Sequence, residues 1–315
     1  MIRTPHSPLE VAAVTHPGMA GRQNEDRFAV SSYRVSENDP TSSVLAVVSD
    51  GIGGHRAGEV AAEMAVETIS HMVAQSDVRH PLAVLDHAIQ VTSDAIASKA
   101  RDDTQRLGMG TTCACAWVIG AQLFIASVGD SRIYLLRNGN LIQLTVDHTW
   151  VQEAVEKGIL TPEDARNHPN IHVIRRYLGS KKTPSADTRL RLAKEETDTQ
   201  AHINQGLRLL PGDLLLLCTD GLTDIVEDAE IALAVRGLAL QSAAQALVDL
   251  ACSRGGTDNI TVALLLVPTE PLVEKKRSYL KLVLYGLTAL IILALVMLLM
   301  TWAVLHFILP KGIFL

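Results

Sequence analysis

Cysteine is scarce in this sequence, and its spacing matches none of the usual cysteine-based sites. The 315 residues include four cysteines, and no two of them form a Cys-x-x-Cys pair or another zinc-ligand spacing. A structural zinc site is therefore only a weak alternative. We interpret Cys113, Cys115, Cys218 and Cys252 as buried, reduced thiols, which is typical of a cytosolic protein. Cys113 and Cys115 would share one face of a strand.

Positive charge is also in short supply. The chain has 28 Lys and Arg against 34 Asp and Glu, a net charge of −6. Residues 271–315 contain five of the basic residues and one of the acidic ones, so the first 270 residues hold 23 basic and 33 acidic side chains. Proteins that bind nucleic acid normally show a basic patch. The composition therefore argues against a nucleic-acid partner and suits a protein that holds divalent cations.

One segment lacks charged side chains altogether. Between Leu282 and Leu309 there is no Asp, Glu, Lys or Arg, and a helix of this length, about 42 Å, exceeds the roughly 30 Å of a hydrocarbon core. Four basic residues precede the segment and one follows it, and the N-terminal sequence has no signal-peptide pattern. We predict a basic juxtamembrane segment at 271–281, a transmembrane helix at 282–309 and a short tail at 310–315. The preceding domain would face the cytoplasm at the cell membrane, where lipid is a further partner.

Hydrophobic periodicity divides residues 1–270 into strands and helices of one domain. Strand-like runs cover 44–49, 123–127, 133–137, 141–145, 207–209, 214–219 and 260–267. Helical spacing covers 59–74, 81–99, 149–157, 162–167, 229–235 and 242–253. Asn138-Gly139 lies between two strand-like runs and predicts a tight hairpin. The order of elements indicates an α+β domain with a sheet that is at least partly antiparallel.

Aspartates follow or precede several of the predicted strands. Asp50, Asp130 and Asp220 each lie beside a glycine at the end of an apolar run, and Asp258 comes just before the closing run. A single Asp-Gly pair is more often a turn than a ligand. The repetition at strand ends changes this interpretation, because carboxylates brought together at the rim of a core repel one another unless a cation neutralises them. Their hard oxygens suit Mg²⁺ or Mn²⁺, so the sequence predicts a metal-dependent hydrolase.

An ordered set of polar and glycine-rich motifs spans about residues 10–268. It comprises Gly21-Arg22-Gln23-Asn24-Glu25-Asp26, Ser49-Asp50-Gly51-Ile52-Gly53-Gly54-His55, Gly110-Thr111-Thr112, Val128-Gly129-Asp130-Ser131-Arg132, Thr219-Asp220-Gly221-Leu222-Thr223-Asp224 and Gly256-Thr257-Asp258-Asn259-Ile260-Thr261. In this order and spacing the set resembles the phosphatase 2C family of metal-dependent serine/threonine protein phosphatases, in its bacterial form. The stretch from about 147 to 182 resembles the flap of that family. The resemblance implies a four-layer α-β-β-α sandwich with two mostly antiparallel sheets.

The resemblance also implies a centre of two or three Mn²⁺ or Mg²⁺ ions. Asp50 would bridge two ions, the Gly51 carbonyl would bind one of them, and Asp220 and Asp258 would bind the other. Glu25 and Asp26 would complete this shell, and Asp130 with Asp220 matches a third-metal position. Ions of this kind lower the pKa of a bound water, which then attacks phosphoserine or phosphothreonine in a protein substrate. The Cys-x₅-Arg pattern of cysteine phosphatases is absent.

Two positions depart from the family pattern. Arg22, the candidate phosphate clamp, lies three residues before Glu25 rather than four, and Ile52 stands where eukaryotic members have a histidine proposed as the general acid.

We interpret His148, His168 and His172 as solvated or substrate-adjacent flap residues and Asp224 as a turn or supporting residue. Membrane kinases and their substrates are candidate partners. The alternatives are a pseudophosphatase scaffold, which the retained aspartates disfavour, and a two-metal hydrolase of small phosphates, whose histidine-rich ligand sets are missing.

Overall fold

The computed structural model describes residues 1–21, 23–53, 56–103, 106, 108–166, 168–269 and 294–302. The chain divides into two units, residues 1–270 and residues 271–315. In the first unit the strands are β1 (Ile2–Arg3), β2 (Glu10–His16), β3 (Arg27–Arg34), β4 (Ser42–Ser49), β5 (Gly51–Ile52), β6 (Gly110–Thr111), β7 (Cys113–Ile119), β8 (Gln122–Val128), β9 (Arg132–Arg137), β10 (Asn140–Gln143), β11 (Leu207–Arg208), β12 (Leu214–Cys218) and β13 (Ile260–Leu266). The helices are α1 (Arg56–Ala74), α2 (Pro81–Asp102), α3 (Trp150–Glu156), α4 (Pro162–Arg166), α5 (Asp198–Ile203), α6 (Asp220–Thr223), α7 (Asp228–Ala234) and α8 (Leu240–Ser253).

Two antiparallel sheets form the centre of the first unit. The first sheet has the strand order β1-β3-β4-β7-β8-β11, and the second has the order β10-β9-β12-β13-β2. Every strand pair in both sheets is antiparallel. A small third sheet pairs β5 with β6 and places Gly51 opposite Thr111.

The alternation of side chains along β4 explains the layers. Val44, Ala46 and Val48 point into the core between the two sheets, together with residues of β7, β9, β12 and β13. Leu45 and Val47 point to the opposite face, where they pack with residues of α1 and α2. On the outer face of the second sheet, residues of β12 and β13 pack against α7 and α8. Successive side chains of a strand lie on opposite faces, so near-continuous apolar strands are buried on both sides. The predicted four-layer sandwich is confirmed.

Most element boundaries lie within a few residues of the sequence prediction, but three long strands, β2, β3 and β7, are absent from the predicted runs, although Cys113 and Cys115 were expected to lie in a strand. β2 and β3 carry mixed polar and half-buried residues, so their hydrophobic signal is weak. The predicted hairpin is present, with Asn138 and Gly139 both at positive φ and Asn140 paired to Arg137.

The cysteine predictions are confirmed in part. Cys113 and Cys115 do share one buried face. Cys252 is half-buried rather than buried, because it lies near the end of α8.

The second unit is described only at residues 294–302. These residues are helical, and large apolar side chains there, including Leu298 and Trp302, are exposed. Most of the predicted membrane segment, and the basic residues before it, lie outside the described residues. Within the part of the chain that the structure describes, no helix combines the length and hydrophobicity needed to cross a membrane.

Candidate active site

The ends of several strands meet at one edge of the sandwich. In the first sheet, the start of β3 pairs with the end of β4 at Arg27 and Ser49, so Asp26 and Asp50 extend from neighbouring strands. In the second sheet, the end of β12 lies beside the start of β13, through the pair Cys218 and Val262. Antiparallel pairing therefore brings residues far apart in sequence to the same edge.

Asp26 joins the two sheets at this edge. Its side chain is buried, and its Oδ2 accepts hydrogen bonds from the hydroxyls of Thr219, at 2.9 Å, and Thr261, at 2.7 Å. Its Oδ1 is buried without a partner. Burial, and then repulsion from Asp220 and Asp258, raise the pKa of Asp26 to about 7, although the two hydroxyls oppose this shift. The two threonines thus fix one oxygen and leave the other free for a ligand.

The carboxyl groups of Asp50 and Asp220 lie close enough to interact electrostatically. Burial raises the pKa of Asp50 well above its ordinary value, and the charges of Asp26 and Asp220 raise it further. Burial likewise raises the pKa of Asp220, whose Oδ1 is buried without a partner. In the absence of a cation, burial therefore favours the protonated forms of both carboxyl groups.

The Asp50 backbone is held from both sides. Its N–H donates to Thr112 Oγ1 at 2.9 Å, and its carbonyl accepts from Thr111 Oγ1 at 2.7 Å. Thr112 Oγ1 also lies 2.7 Å from Ser131 Oγ, beside Asp130. Asp130 is buried, its Oδ1 has no partner, and burial followed by the Asp220 charge raises its pKa well above the ordinary value.

Glycines allow the Glu25 segment to approach the end of β4. A Cβ on Gly51 would lie 2.8 Å from the Glu25 carbonyl oxygen, and a Cβ on Gly58 would lie 2.6 Å from Glu25 Oε2. Asn259 connects the same segment to the start of β13, because its Oδ1 accepts the Glu25 N–H at 2.7 Å. The neighbouring Asp258 is exposed, and its Oδ1 accepts from the Asn259 N–H at 2.8 Å.

The donor set fits hard divalent cations. Six buried side-chain polar atoms lack partners among the described residues, and three of them are the carboxylate oxygens of Asp26, Asp130 and Asp220. Within the described ranges, no three His, Cys, Asp or Glu side chains already form a ligand cluster. The aspartates therefore interact by repulsion, and their unpartnered oxygens are suited to Mg²⁺ or Mn²⁺.

Comparison with known proteins identifies the family. A protein-family profile described as Protein phosphatase 2C matches residues 19–251. The chain belongs to the protein phosphatase 2C family. Its catalytic unit is similar to bacterial serine/threonine phosphatases, in agreement with the resemblance seen in the motifs. Phosphatases of this family use Mn²⁺ or Mg²⁺, so the cofactor class predicted from the aspartates is confirmed.

Three relatives illustrate the similarity. The chain is 35% identical over 255 residues to the serine/threonine protein phosphatase PstP of Mycobacterium tuberculosis, covering 81% of this chain but only 44% of PstP. It is 36% identical to the serine/threonine phosphatase stp of Listeria welshimeri, covering 79% of this chain and 92% of that protein. A crystal structure of the PstP catalytic domain in complex with two manganese ions superposes with a TM-score of 0.66 at 32% identity, covering 82% of this chain and 97% of that one.

The phosphatase 2C site residues differ in how far the structure describes them. Glu25, Asp26, Asp50, Gly51, Asp130, Asp220 and Asp258 all lie at the sandwich edge described above. Arg22 and His55 lie outside the described residues. Ile52, at the position of the eukaryotic histidine, lies in β5 and is half-buried. The roles of these residues at a metal centre stay predictions.

The flap histidines differ from one another, and of the two interpretations given for them, solvated or substrate-adjacent, the first is wrong for His148. His148 is buried, with only 5% of its surface exposed. Both of its ring nitrogens have polar partners, which offset the cost of burying the imidazole. His168 stacks on Trp150, and the ring centroids lie 4.7 Å apart. His172 is exposed and lies 3.0 Å from Asp224. Burial and the charge of Asp220 raise the pKa of Asp224 to about 6, although His172 opposes the shift.

Sequence reasoning missed the residues that hold the aspartates in place. Thr219, Thr261, Thr112 and Asn259 all belong to the motifs, but their partners are distant in sequence. Each of these residues lies within a motif that contains a candidate ligand, but its contact with a distant aspartate or glutamate segment can be recognised only when the strand register is known.

Proposed function

We propose that this protein is a metal-dependent phosphatase of phosphoserine and phosphothreonine in proteins, held at the cell membrane. The observation that carries the catalytic part is the convergence of buried Asp26, Asp130 and Asp220, each with an oxygen that lacks a partner. Leaving buried carboxylate oxygens unsatisfied is costly, so their retention supports a role as ligands.

The ligand assignment is the one that the resemblance to the family implies. Asp50, the Gly51 carbonyl, Asp220 and Asp258 would hold two ions, Glu25 and Asp26 would support them, and Asp130 with Asp220 would hold a third. Bound ions supply a water of lowered pKa and positive charge beside the phosphate oxygens.

The chain itself supplies orientation and substrate binding. Thr219 and Thr261 fix the Asp26 carboxylate, and Thr111 and Thr112 fix the backbone that carries Asp50. Arg22 is the candidate to pair with two phosphate oxygens, since a guanidinium matches that geometry. A side-chain nucleophile is not required, because the attacking group is water. With Ile52 at the histidine position, the leaving oxygen would receive its proton from solvent.

The alternative is a pseudophosphatase that keeps the fold as a scaffold. Such a protein would have no need for several buried carboxylates that destabilise one another in the absence of a cation. The retained aspartates therefore favour an active enzyme. The two hypotheses separate in a direct assay of phosphopeptide hydrolysis with purified full-length protein, with and without Mn²⁺.

That assay should show hydrolysis of phosphoserine or phosphothreonine peptides only when Mn²⁺ or Mg²⁺ is present. Addition of a chelator should abolish the activity, and an excess of Mn²⁺ should restore it. Activity that resists the chelator would contradict the metal mechanism. Mn²⁺ binding without hydrolysis of any phosphopeptide would favour the scaffold.

The membrane part of the proposal rests on residues 282–309, which contain no charged side chain. Basic residues at 275–277 and 281 would lie beside anionic lipid head groups on the cytoplasmic side, each stabilising the attachment by about 1 kcal/mol. The substrates within reach would be membrane-associated phosphoproteins, including receptor kinases with cytosolic domains.

Protease treatment tests this placement. In right-side-out vesicles the domain at 1–270 should be protected, and at most residues 310–315 should be trimmed. Digestion of the domain would overturn the orientation. Recovery of full-length protein in the soluble fraction would overturn the anchor.

A further inference from the structure

His148 is the most completely buried imidazole among the described residues, and the proposed mechanism gives it no role. It lies directly before α3, at the start of the flap, with 5% of its surface exposed. Burying a polar ring is unfavourable unless its nitrogens are hydrogen-bonded. Both nitrogens of His148 have partners, so the ring is held in one orientation.

One partner of His148 is the residue before Asp130. The Gly129 N–H donates to His148 Nδ1 at 3.0 Å, and the His148 N–H donates to the Gly129 carbonyl at 2.9 Å. Gly129 has a φ of +105°, and a Cβ there would lie 2.6 Å from Thr112 Cγ2. The turn that carries Asp130 is therefore confined between Thr112 on one side and the His148 ring on the other.

The second nitrogen of His148 lies beside two charged groups. Nε2 is 3.0 Å from Asp187 Oδ2 and 3.1 Å from Arg176 Nη1, and of these two groups only the carboxylate can accept a hydrogen bond. Because Nδ1 accepts the Gly129 N–H, the neutral ring carries its proton on Nε2 and donates it to Asp187. Asp187 is itself fixed by two hydrogen bonds from Arg189, at 2.9 and 2.6 Å. The imidazole orientation thus depends on a buried ion pair outside the metal centre.

The flap is attached to the same residue. The Arg175 N–H donates to the His148 carbonyl at 2.7 Å, and Thr149 forms an isolated bridge with Ile174. Trp150 N–H donates to the Val173 carbonyl at 2.8 Å. The turn of Asp130, the flap segment at 173–176 and the ion pair of Asp187 therefore all meet at His148.

We propose that His148 is a positioning residue that sets the orientation of Asp130 as a metal ligand and ties it to the flap. The essential contact is the bond from the Gly129 N–H to Nδ1, since that bond acts directly on the residue before Asp130. The inference rests on the metal binding in the proposed function, and it does not depend on which substrate is hydrolysed. Partners behind a ligand typically change metal affinity by about 10- to 100-fold when they are removed.

Two substitutions separate the two nitrogens. In His148→Asn, the amide oxygen can take the place of Nδ1 and accept the Gly129 N–H, while the reach to Asp187 is lost. In His148→Gln, the amide nitrogen can take the place of Nε2 and donate to Asp187, while the acceptor for Gly129 is lost. Mn²⁺ binding to the full-length proteins is measured by titration calorimetry, and thermal unfolding is measured in chelator.

We expect His148→Gln to weaken the affected Mn²⁺ site by about tenfold or more and His148→Asn to weaken it by less than about threefold. Both variants should lower the unfolding temperature, since each loses a buried contact. In an Asp130→Asn background, His148→Gln should have no further effect on Mn²⁺ affinity, because it acts through Asp130. Equal losses of Mn²⁺ affinity in the two variants, or a loss of stability with unchanged affinity in both, would overturn the proposal.

A second measurement keeps the test independent of whether His148→Gln folds. The ring nitrogens of His148 in the unaltered protein can be observed by ¹⁵N NMR during a titration with diamagnetic Mg²⁺. We expect an unprotonated Nδ1 and a protonated Nε2, with the Nδ1 resonance moving as Mg²⁺ saturates. A proton on Nδ1, or no response to Mg²⁺, would contradict the proposal. Neither the Mn²⁺ affinity nor the Nδ1 resonance requires turnover, so both test the role of His148 separately from the proposed phosphatase activity.

Discussion

Buried aspartates occur in two regions of this molecule with opposite electrostatic surroundings. Asp187, beside the flap, faces Arg189 and His148, and these hydrogen bonds hold the pKa of its carboxyl well below the usual range despite its burial. Asp26, at the sandwich edge, is also buried but faces Asp220 and Asp258, and its pKa rises to about 7. Both residues are buried aspartates, so the opposite directions of their pKa shifts come from the charges of their neighbours.

The difference separates a structural carboxylate from a functional one. Asp187 has its counter-charge within the chain, so it stabilises the fold without a ligand. The aspartates at the edge oppose folding until a cation binds, as expected of a site whose charge is completed by a ligand. Substitution should therefore harm stability in one region and activity in the other.

The largest effect is expected from removing a carboxylate of the metal centre. Asp50→Asn or Asp220→Asn should reduce phosphopeptide turnover by about a thousandfold, because each removes charge at the metal centre with little change in volume. Thermal unfolding in chelator should be no lower than in the unaltered protein. Asp213→Asn, which breaks a buried ion pair between the residue before β12 and Arg137 at the end of β9, serves as the control and should keep its kcat. Near-normal turnover in either edge variant would refute its assignment.

Asp187→Asn should mainly destabilise the fold, by about 2–3 kcal/mol at pH 7, since it removes one partner of a buried pair but keeps a hydrogen-bonding group. A depressed pKa contributes stability above the ordinary carboxyl range and loses it as the pH falls below about 4. The difference between the unaltered protein and this variant should therefore shrink in acid. It is measured by denaturant unfolding at a series of pH values, and an equal difference at pH 7 and pH 3 would contradict the comparison.

In the absence of metal, Asp26→Asn should stabilise the fold, whereas Asp187→Asn destabilises it. A raised pKa means that the folded state holds a proton more tightly, so this aspartate costs stability as the pH rises from about 4 to about 7. The variant should be more stable than the unaltered protein at pH 8, by about 1–2 kcal/mol, and equal to it near pH 4. Unfolding in chelator checks this, with Asp213→Asn again as the control. If the variant is less stable than the unaltered protein at pH 8, the ionised Asp26 carboxylate does not destabilise the metal-free fold, and the electrostatic explanation is wrong.

Arg22→Ala is expected to have the smallest effect. As a clamp on phosphate, Arg22 would act in the ground state and transition state alike, so its loss should raise KM about fivefold and leave kcat nearly unchanged. Arg34→Ala, at the far end of β3, is the matched control. Steady-state kinetics with a phosphothreonine peptide would show unchanged KM and kcat if Arg22 does not reach the substrate.

Much of the fold and the set of candidate ligands follow from the sequence for a physical reason. Runs such as 44–49 and 214–219 are apolar on both faces and end in Asp, which predicts both a buried strand and a charged rim. The amphipathic helices at the outer faces show equally clear spacing. These signals are local, so they can be recognised before the fold is known.

The remainder depends on contacts between distant residues. The role of His148 arises from a bond to Gly129, which the chain brings close only through the β9–β10 hairpin. The two hydroxyls that bond Asp26 come from the residue after β12 and from β13, and their convergence is a property of strand register. The local pattern of His148 resembles that of an exposed flap residue, so its burial could not be predicted.

The central claim is that cations replace protons at the edge carboxylates, and calorimetry tests it directly. Mn²⁺ is titrated into the full-length protein at pH 7 in buffers of different ionisation enthalpy, which gives the ions bound and the protons released. We predict at least two ions per chain with net proton release, because the pKa values of Asp26, Asp50 and Asp220 are raised and bound cations favour the ionised carboxylates. Release should decrease in Asp26→Asn. Binding without proton release, or with the same release in that variant, would contradict the account.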